Sequence, residues 1–503
     1  MKNIGKVISG VLLAIQLVLE AVAIGLFWML KMLPSGLFAA VIGVFIVLLA
    51  VSALLMRQSS KKEKGAVSLR RILGWILSLV IIVIGVVGDF ALIKAYQTMN
   101  SVTGQVVSSV VGIYVKQEDP AQSLDDAGEY VFGFSNAYDG EAIQETIGEI
   151  RNQLGENVNL QEYDTVFTAV DALYEGEVEA VLLSSAYIGV LEGIEAYKNF
   201  STETRILMDH TVNIEVVVPT PGPDVSEKPE WYEKPQSADD PFVIYLSGSD
   251  TRSDVLTTSR SDVNILAAVN PKTGQILLVN TPRDYYVANP AMGGAMDKLT
   301  HCGIYGVEYS METLSQLYNI PVHYNAQVNF GGFRTLINAV GGITVHSDVA
   351  FATQDGYWIQ QGENYMDGAK ALSFARERYA LAGGDNDRGN NQMKVITAVI
   401  DRLSSGAIIS NYSQIMDSMQ GMFATNLTTD EMMGLVRFQL AEMPQWKVVS
   451  YAVTGEGTFG ETCSAPGMSL YVMQPNMDTV AKASDLIQRV LNGETLAAAD
   501  LAS

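Results

Sequence analysis

Three apolar runs crowd the first hundred residues of this 503-residue chain, at 7–30, 33–56 and 72–93. Each is long enough to cross a hydrocarbon layer of about 30 Å at about 1.5 Å of rise per residue. A cleavable signal peptide would be one shorter run ending in small residues. Residues 1–96 therefore read as a three-helix transmembrane anchor. Its orientation follows from the cations beside the runs. Arg57, Lys61, Lys62, Lys64, Arg70 and Arg71 follow the second run or open the third, so that loop is expected in the cytoplasm. The loop between the first two runs holds only Lys31, and Lys2 and Lys6 fit an inside N-terminus. Three crossings then put everything after residue 93 outside the cell. Glu20 and Asp89 interrupt apolar runs. Intramembrane acids can mark functional sites, but a helix–helix contact is the expected role, or for Asp89 a position near the interface.

The rest of the chain is polar and acidic, and the formal net charge of the whole is -23. That balance argues against nucleic acid as a partner, because phosphate binding along a duplex needs a surplus of Lys and Arg. Residues 97–216 alternate strand and helix patterns. Strands are expected at 129–134 and 178–183. Helices are expected at 139–154, with Ile143, Ile147 and Ile150 on one face, at 163–174, and from 184 to 197. This is a small α/β accessory domain. It carries no acid–base pair or metal cluster, so its expected role is a spacer or a docking site for cell-envelope assembly proteins. Pro219, Pro221, Pro223, Pro229, Pro235 and Pro241 then make a semi-rigid linker over 217–241. Beyond it, 242–503 reads as a larger α/β domain. Strands are expected at 242–247, 263–269, 275–280 and 446–451, and helices at 310–318, 330–340, 368–378 and 388–403. Cys302 and Cys463 are too few for a disulfide framework and lack metal-type spacing. Outside a cell they can form one bridge, or both can stay buried as thiols.

Ionic residues collect at the ends of these apolar strands. Gly248-Ser249-Asp250-Thr251-Arg252 follows the first strand, Arg260-Ser261-Asp262 precedes the second, and Pro282-Arg283-Asp284 follows the third. A fourth group holds Arg376, Glu377, Arg378, Asp385, Asp387, Arg388 and Gln392. In so acidic a chain, the arginines at 252, 260, 283, 376, 378 and 388 are a local exception. Guanidinium groups make forked, charge-assisted bonds to phosphate oxygens and stay charged at any relevant pH. Arg388 and Gln392, four apart, share a helical face. Arg376 and Arg378 diverge on a helix and share a face on a strand. Asp250 and Asp262 suit a hard divalent cation, since magnesium takes one or two carboxylates and completes its shell with water and phosphate oxygens. A solvated face of salt bridges would explain any one of these charges better than it explains four groups, each at a strand edge or helix start. His301 and His323 lack a metal pattern and are expected to be solvent-facing or hydrogen-bonded. Ser249 and Ser253 have no nucleophile-elbow context, and no Walker pattern occurs.

The motifs also carry a resemblance. Tyr245-Leu246-Ser247-Gly248-Ser249-Asp250-Thr251-Arg252, Ser259-Arg260-Ser261-Asp262, Asn270-Pro271-Lys272-Thr273-Gly274, Thr281-Pro282-Arg283-Asp284-Tyr285, Asp297-Lys298-Leu299-Thr300-His301, Gly341-Gly342-Ile343, Arg376-Glu377-Arg378 and Asp387-Arg388 with Asn391-Gln392 follow one another as in the LytR-CpsA-Psr family. The resemblance covers about 242–405. It implies an α/β catalytic domain with a central mixed sheet and a hydrophobic tunnel for a polyprenyl pyrophosphate lipid. It implies transfer of an anionic glycopolymer, teichoic acid or capsular polysaccharide, from that lipid to peptidoglycan. By matching positions, Asp250 and Asp262 place Mg2+ (or Mn2+). Arg283, Arg376, Arg378 and Arg388 clamp the pyrophosphate, with Gln392 beside them and Arg252, Arg260 and Asp284 in support. Val263 stands where many members have Thr, and Asn391-Gln392 where Arg-Gln is usual. The general base stays open between Asp262 and Asp284. Two alternatives also stand: hydrolysis of the same lipid, with water in place of the sugar, and a non-catalytic regulatory or scaffold role in envelope assembly.

Overall fold

The computed structural model describes residues 2–57, 68–103, 108–213, 233–249, 256–407, 412–419 and 421–501. Asp250, Arg252 and most of the proline-rich linker lie outside them.

The three apolar runs are helices α1 (Lys2–Leu30), α2 (Ser35–Met56) and α3 (Leu69–Val102), each long and apolar enough to cross a membrane. A polar ladder ties α1 to α3. The Trp75 indole donates to Ser9 Oγ (2.8 Å), Ser78 donates to Gln16 Oε1 (2.8 Å), and the Gln16 amide donates to Glu20 (2.8 Å). Glu20 is buried and bonds within α1 to Gln16, the residue that meets Ser78 of α3, which fits the rule that polar groups in such helices face the bundle. The third helix runs nine residues beyond its apolar stretch, to Val102, and this extension carries polar contacts that join it to the larger of the two following units. Lys94 forms an ion pair with Asp417, and the Thr429 hydroxyl donates to Asn100 (2.8 Å).

The accessory unit is a five-stranded sheet of β1 (Ser109–Lys116), β2 (Val131–Phe134), β3 (Asn159–Glu162), β4 (Ala180–Ser184) and β5 (Thr204–Val212), in the order β3-β2-β4-β1-β5. Helices α4 (Gly140–Leu154), α5 (Val166–Glu175), α6 (Ser185–Leu191) and α7 (Phe200–Glu203) complete it. Ile143, Ile147 and Ile150 are buried on one face of α4, as their spacing requires. The helix expected to run to residue 197 stops at Leu191. Gly193 lies just beyond, and the chain re-enters only a single 3-10 turn at Glu195–Tyr197.

The larger unit is built on a six-stranded mixed sheet. Its strands are β6 (Phe242–Ser249), β7 (Ser261–Asn270), β8 (Gln275–Asn280), β11 (Tyr324–Asn329), β16 (Phe423–Thr425) and β17 (Lys447–Ala452), in the order β16-β11-β6-β7-β8-β17. Hairpins flank it: β9 (Tyr286–Asn289) with β10 (Ala295–Lys298), β12 (Ile343–Ser347) with β15 (Gly362–Met366), β13 (Phe351–Ala352) with β14 (Trp358–Ile359), and β18 (Gly455–Thr462) with β19 (Ala465–Pro475). The helices are α8 (Leu299–Cys302), α9 (Val307–Tyr318), α10 (Phe330–Ala339), α11 (Gly368–Arg376), α12 (Asp385–Arg402), α13 (Tyr412–Met419), α14 (Thr429–Glu442) and α15 (Met477–Leu491). The central strands are apolar on both faces because both are covered. Leu266, Ala268, Leu277 and Val279 pack with Leu314, Leu486 and Ile487 from α9 and α15. Ile265, Ala267, Val269, Ile276 and Leu278 pack with Met393, Ile396 and Ile400 from α12.

The two units share one apolar cluster. Tyr138, Phe167 and Tyr187 of the accessory unit pack with Ile304, Ala465 and Leu470 of the larger one. The hydroxyls of Tyr138 and Tyr187 donate to the Ile304 and Ser464 carbonyls. Cys302 and Cys463 are free thiols.

Candidate functional site

Strand ends on one side of the sheet converge on a cleft of about 340 Å³. Gly189, Arg260, Arg283, Asp284, Lys298, Thr300, His301, Arg378 and Asp385 line it. Local devices place Asp262, Arg283 and Arg388 around it. Along β6 and β7, Gly248 pairs with Val263 and Ser249 with Ser261, so Asp262 is the extra residue of a β-bulge. A bulge re-aims a side chain off the sheet's alternation, and here it brings the Asp262 carboxylate to Arg283. Arg283 sits in the turn after β8, where Tyr285 N–H donates to the Pro282 carbonyl (3.1 Å) and Thr300 N–H to the Arg283 carbonyl (2.8 Å). Arg388 comes from the first turns of α12. That helix approaches β8 so closely that a Cβ at Gly389 would fall 2.1 Å from the Asn280 amide, and only glycine permits the contact.

The charges are paired, and cations remain in excess. Arg283 Nη1 donates to Asp262 Oδ1 (2.8 Å), which also accepts from Thr300 Oγ1 (3.2 Å). Asp284 lies between Arg283 Nε (3.7 Å) and Lys298 Nζ (3.2 Å). Asp385 pairs with Arg388 (2.5 Å). Exposed ion pairs contribute about 0–1 kcal/mol. Arg283 and Asp262 keep only 18% and 16% of their side-chain surface, and removing one partner of a buried pair costs about 3–5 kcal/mol. Burial alone would raise the pKa of Asp262, but Arg283, Arg260 and Arg388 together hold it below the ordinary carboxylate range. Arg283 is pushed up, chiefly by Asp262. Arg388 moves the other way. Burial lowers its pKa, Asp385 offsets part of this, and Arg283 and Arg378 add to the lowering. Arg283 Nε is buried without a hydrogen-bond acceptor among the described residues. A buried, cation-rich cleft with an unsatisfied guanidinium N–H is suited to a multiply charged anion.

Of the residues expected from sequence, Arg260, Arg283, Asp284 and Arg378 line this cleft, and Asp262 and Arg388 adjoin it through their pairs with Arg283 and Asp385. Asp250 and Arg252 lie outside the described residues. Arg376 is exposed at the end of α11 and stacks over the Phe330 ring, 4.6 Å from its centroid, outside the cleft lining. Gln392 shares the buried face of α12 with Arg388, and its amide donates to the Ala375 carbonyl (3.3 Å). The helix expected over 368–378 ends at Arg376, so Arg378 stands beyond it. The cause is Glu377, which is extended and buried. Its carboxylate accepts from the backbone N–H groups of Gln354 (2.7 Å), Arg378 (3.1 Å), Tyr379 (2.9 Å) and Ala380 (3.0 Å). Burial would raise its pKa, but these four bonds bring it below the ordinary value.

Lys298, Thr300 and Gly189 were missed as site residues in the sequence. The first two sit in the quoted Asp297-to-His301 motif. Gly189 carries no local signal, because it reaches the cleft only through docking of the accessory unit. There its carbonyl accepts from Arg260 Nη1 (2.8 Å). His301 is buried and hydrogen-bonded rather than solvent-facing.

Among the described residues no group of three or more His, Cys, Asp or Glu side chains is placed to hold a metal. Asp262 has both described hydrogen bonds on Oδ1, which leaves Oδ2 for a cation that draws its other ligands from water and phosphate.

The LytR_cpsA_psr family profile matches residues 213–484, more than half of the chain. Among curated proteins, the chain is 38% identical over 195 residues to the polyisoprenyl-teichoic acid–peptidoglycan teichoic acid transferase TagU of Enterococcus faecalis, and 35% identical over 197 residues to its namesake in Bacillus cereus. These matches take in 38% and 39% of this chain and 64% of each relative. Among solved structures, B. subtilis TagV aligns with a TM-score of 0.42 and 25% identity over 51% of this chain and 99% of that one.

Proposed function

The chain belongs to the LytR-CpsA-Psr family, and from that premise and the cationic cleft we propose that it transfers an anionic glycopolymer from a polyprenyl pyrophosphate carrier to peptidoglycan. The observation that carries this reading is the convergence of Arg260, Arg283, Arg378, Arg388 and Lys298 around three paired carboxylates. A diphosphate supplies the anionic oxygens that such a set lacks. Phosphoryl transfer depends on positioning and charge neutralisation more than on a covalent nucleophile. In this reading Arg283 and Arg388 hold the non-bridging oxygens, and Arg378 approaches from the loop that Glu377 fixes. Asp262, with Asp250, would hold Mg2+ or Mn2+, whose chemistry there is neutralisation of phosphate charge.

The lipid chain is assigned to the apolar layer of α10, α11, α12 and α13, where Phe333, Leu336, Leu403 and Met419 are only partly buried. Arg376, over Phe330 at the start of α10, would meet the headgroup end of that layer. The α3 helix packs on α13 through Lys94 and Asp417, so this layer adjoins the membrane anchor. By the positive-inside rule, Arg57, Lys61, Lys62, Lys64, Arg70 and Arg71 would stay in the cytoplasm and the cleft would face outward. Cell-envelope assembly proteins remain candidate partners for the accessory unit.

The test is incubation of the purified full-length protein with a labelled lipid-linked polymer and peptidoglycan. Label in the insoluble wall is expected. Label released only as free polymer would replace the transferase by a hydrolase.

A further inference from the structure

Beneath the cleft, the carboxylate of Asp297 is fully buried and saturated with donors. It receives the Lys298 N–H (2.8 Å), Ser464 Oγ (2.9 Å), Cys463 Sγ (3.0 Å) and the Asn289 amide (3.3 Å), and His301 Nδ1 lies 2.9 Å away. Burial would raise the pKa of Asp297, yet His301, Cys463 and Ser464 together bring it below its ordinary value. An ionised carboxylate only accepts, so His301 Nδ1 carries the hydrogen, and in the neutral ring the lone pair is then on Nε2. The second group at Nδ1 is Ser464 Oγ (2.7 Å), itself buried, with its carbonyl held by Tyr187. The imidazole is thus fixed on its Nδ1 side, and no hydrogen bond reaches Nε2 among the described residues. The ring is 4% exposed, and it lines the same cleft as Arg260, Arg283 and Arg378.

The carboxylates of the cleft are poor bases by comparison. Asp262 is bound to Arg283 and Thr300, Asp284 lies between Arg283 and Lys298, and Asp385 pairs with Arg388. We propose that His301, oriented by Asp297, is the general base of the transfer reaction assigned above, on which this inference rests. Nε2 takes the proton of the acceptor sugar hydroxyl. That oxygen forms a bond to the sugar-proximal phosphorus as the bond from this phosphorus to the bridging oxygen breaks. The electron pair leaves on polyprenyl phosphate. The imidazolium is stabilised by Asp297 until it returns its proton to water. Arg260, Arg283, Arg378 and Lys298 oppose that positive charge. Asp284 also lines the cleft, and Cys463, Cys302, Tyr187 and Tyr305 lie around Asp297. A buried partner for Nδ1 is therefore required, as in other histidine–carboxylate pairs.

The experiment compares the full-length wild type with His301→Asn, whose amide can still donate to Asp297. Transfer is read with a polyprenyl-pyrophosphate-linked glycan and peptidoglycan strands, and donor affinity is read separately. Expected is a loss in kcat of roughly 10²- to 10⁴-fold, with donor affinity within about 3-fold of wild type. Added imidazole should restore part of the rate to His301→Ala. Transfer by His301→Asn at more than half the wild-type rate overturns the assignment. So does a parallel loss of donor binding in His301→Asn and His301→Gln with no rescue by imidazole, which marks a structural role. If the wild type itself places no label in peptidoglycan, the transferase reading fails, and this inference with it.

Discussion

Replacing Glu377 by Ala should unfasten the segment that carries Arg378. The carboxylate takes four backbone N–H groups, three on Oε1 and one on Oε2, and the residue is 3% exposed. Hydrogen bonds to a charged group contribute about 1.5–3 kcal/mol each. Four that share one carboxylate do not add fully, because part of the segment regains water when the anchor goes. A total of roughly 3–5 kcal/mol is the expected cost, in the range for a broken buried network. For a domain of this size that lowers the melting temperature by about 6–20 °C. Glu377→Gln keeps an acceptor for the three N–H groups on Oε1 and turns a donor toward Gln354, so it should cost about 1–3 kcal/mol. The folded-state pKa of Glu377 lies below its ordinary 4.5. Its contribution is therefore complete above about 4.5 and is lost as pH falls through the lower, folded value. Thermal melts of wild type and Glu377→Ala should differ most at pH 7 and approach one another below about 4.5. Melting within about 2 °C of wild type at pH 7, or a difference unchanged by acid, would refute the reasoning.

Other outcomes follow from the same geometry. Arg283→Ala should lower transfer by roughly 2–4 kcal/mol of transition-state stabilisation, about 30- to 700-fold in initial rate, as for loss of one preorganised donor. A Cβ at Gly189 would fall 2.4 Å from Arg260 Cζ, and that guanidinium can swing away. Gly189→Ala should therefore melt within about 2 °C of wild type while transfer falls by roughly 1–2 kcal/mol, measured on the same preparation. Chelation of divalent cations should abolish transfer, and added Mg2+ or Mn2+ should restore it, followed by the same label in peptidoglycan.

How much of this was legible beforehand depended on whether the signal was local. The apolar runs of α1, α2 and α3 and the strand at Gln275–Asn280 follow directly from hydropathy, because the helices are apolar nearly all round and the strand is buried on both faces. The accessory strands β1, β3 and β5 did not stand out. The residues of β3 and β5 mix polar and apolar side chains, and pairing with distant partners decides their state; β1 is apolar from Val110 to Val115 apart from Gly112. Clustering of arginines at strand ends announced the cleft. The bulge that aims Asp262 was invisible, since it depends on the register of β6 against β7. Arg378 was given to a helix because nothing in the spacing shows that Glu377 captures its own following N–H groups. Gly189 and Tyr187 could not be linked to the site from sequence, because they reach it by domain docking. His301 was expected to be solvent-facing or hydrogen-bonded. Its hydrogen bonds and its pairing with Asp297 agree with i,i+4 spacing, but its burial and its place at the cleft needed the fold.

Transfer in this cleft requires that the dispersed cations grip a diphosphate. Equilibrium binding of a polyprenyl pyrophosphate to the full-length protein addresses this directly. Arg283→Ala and Arg388→Ala should each weaken binding by about 1.5–3 kcal/mol, or roughly 10- to 150-fold in Kd. Affinities equal to wild type in both variants would contradict it.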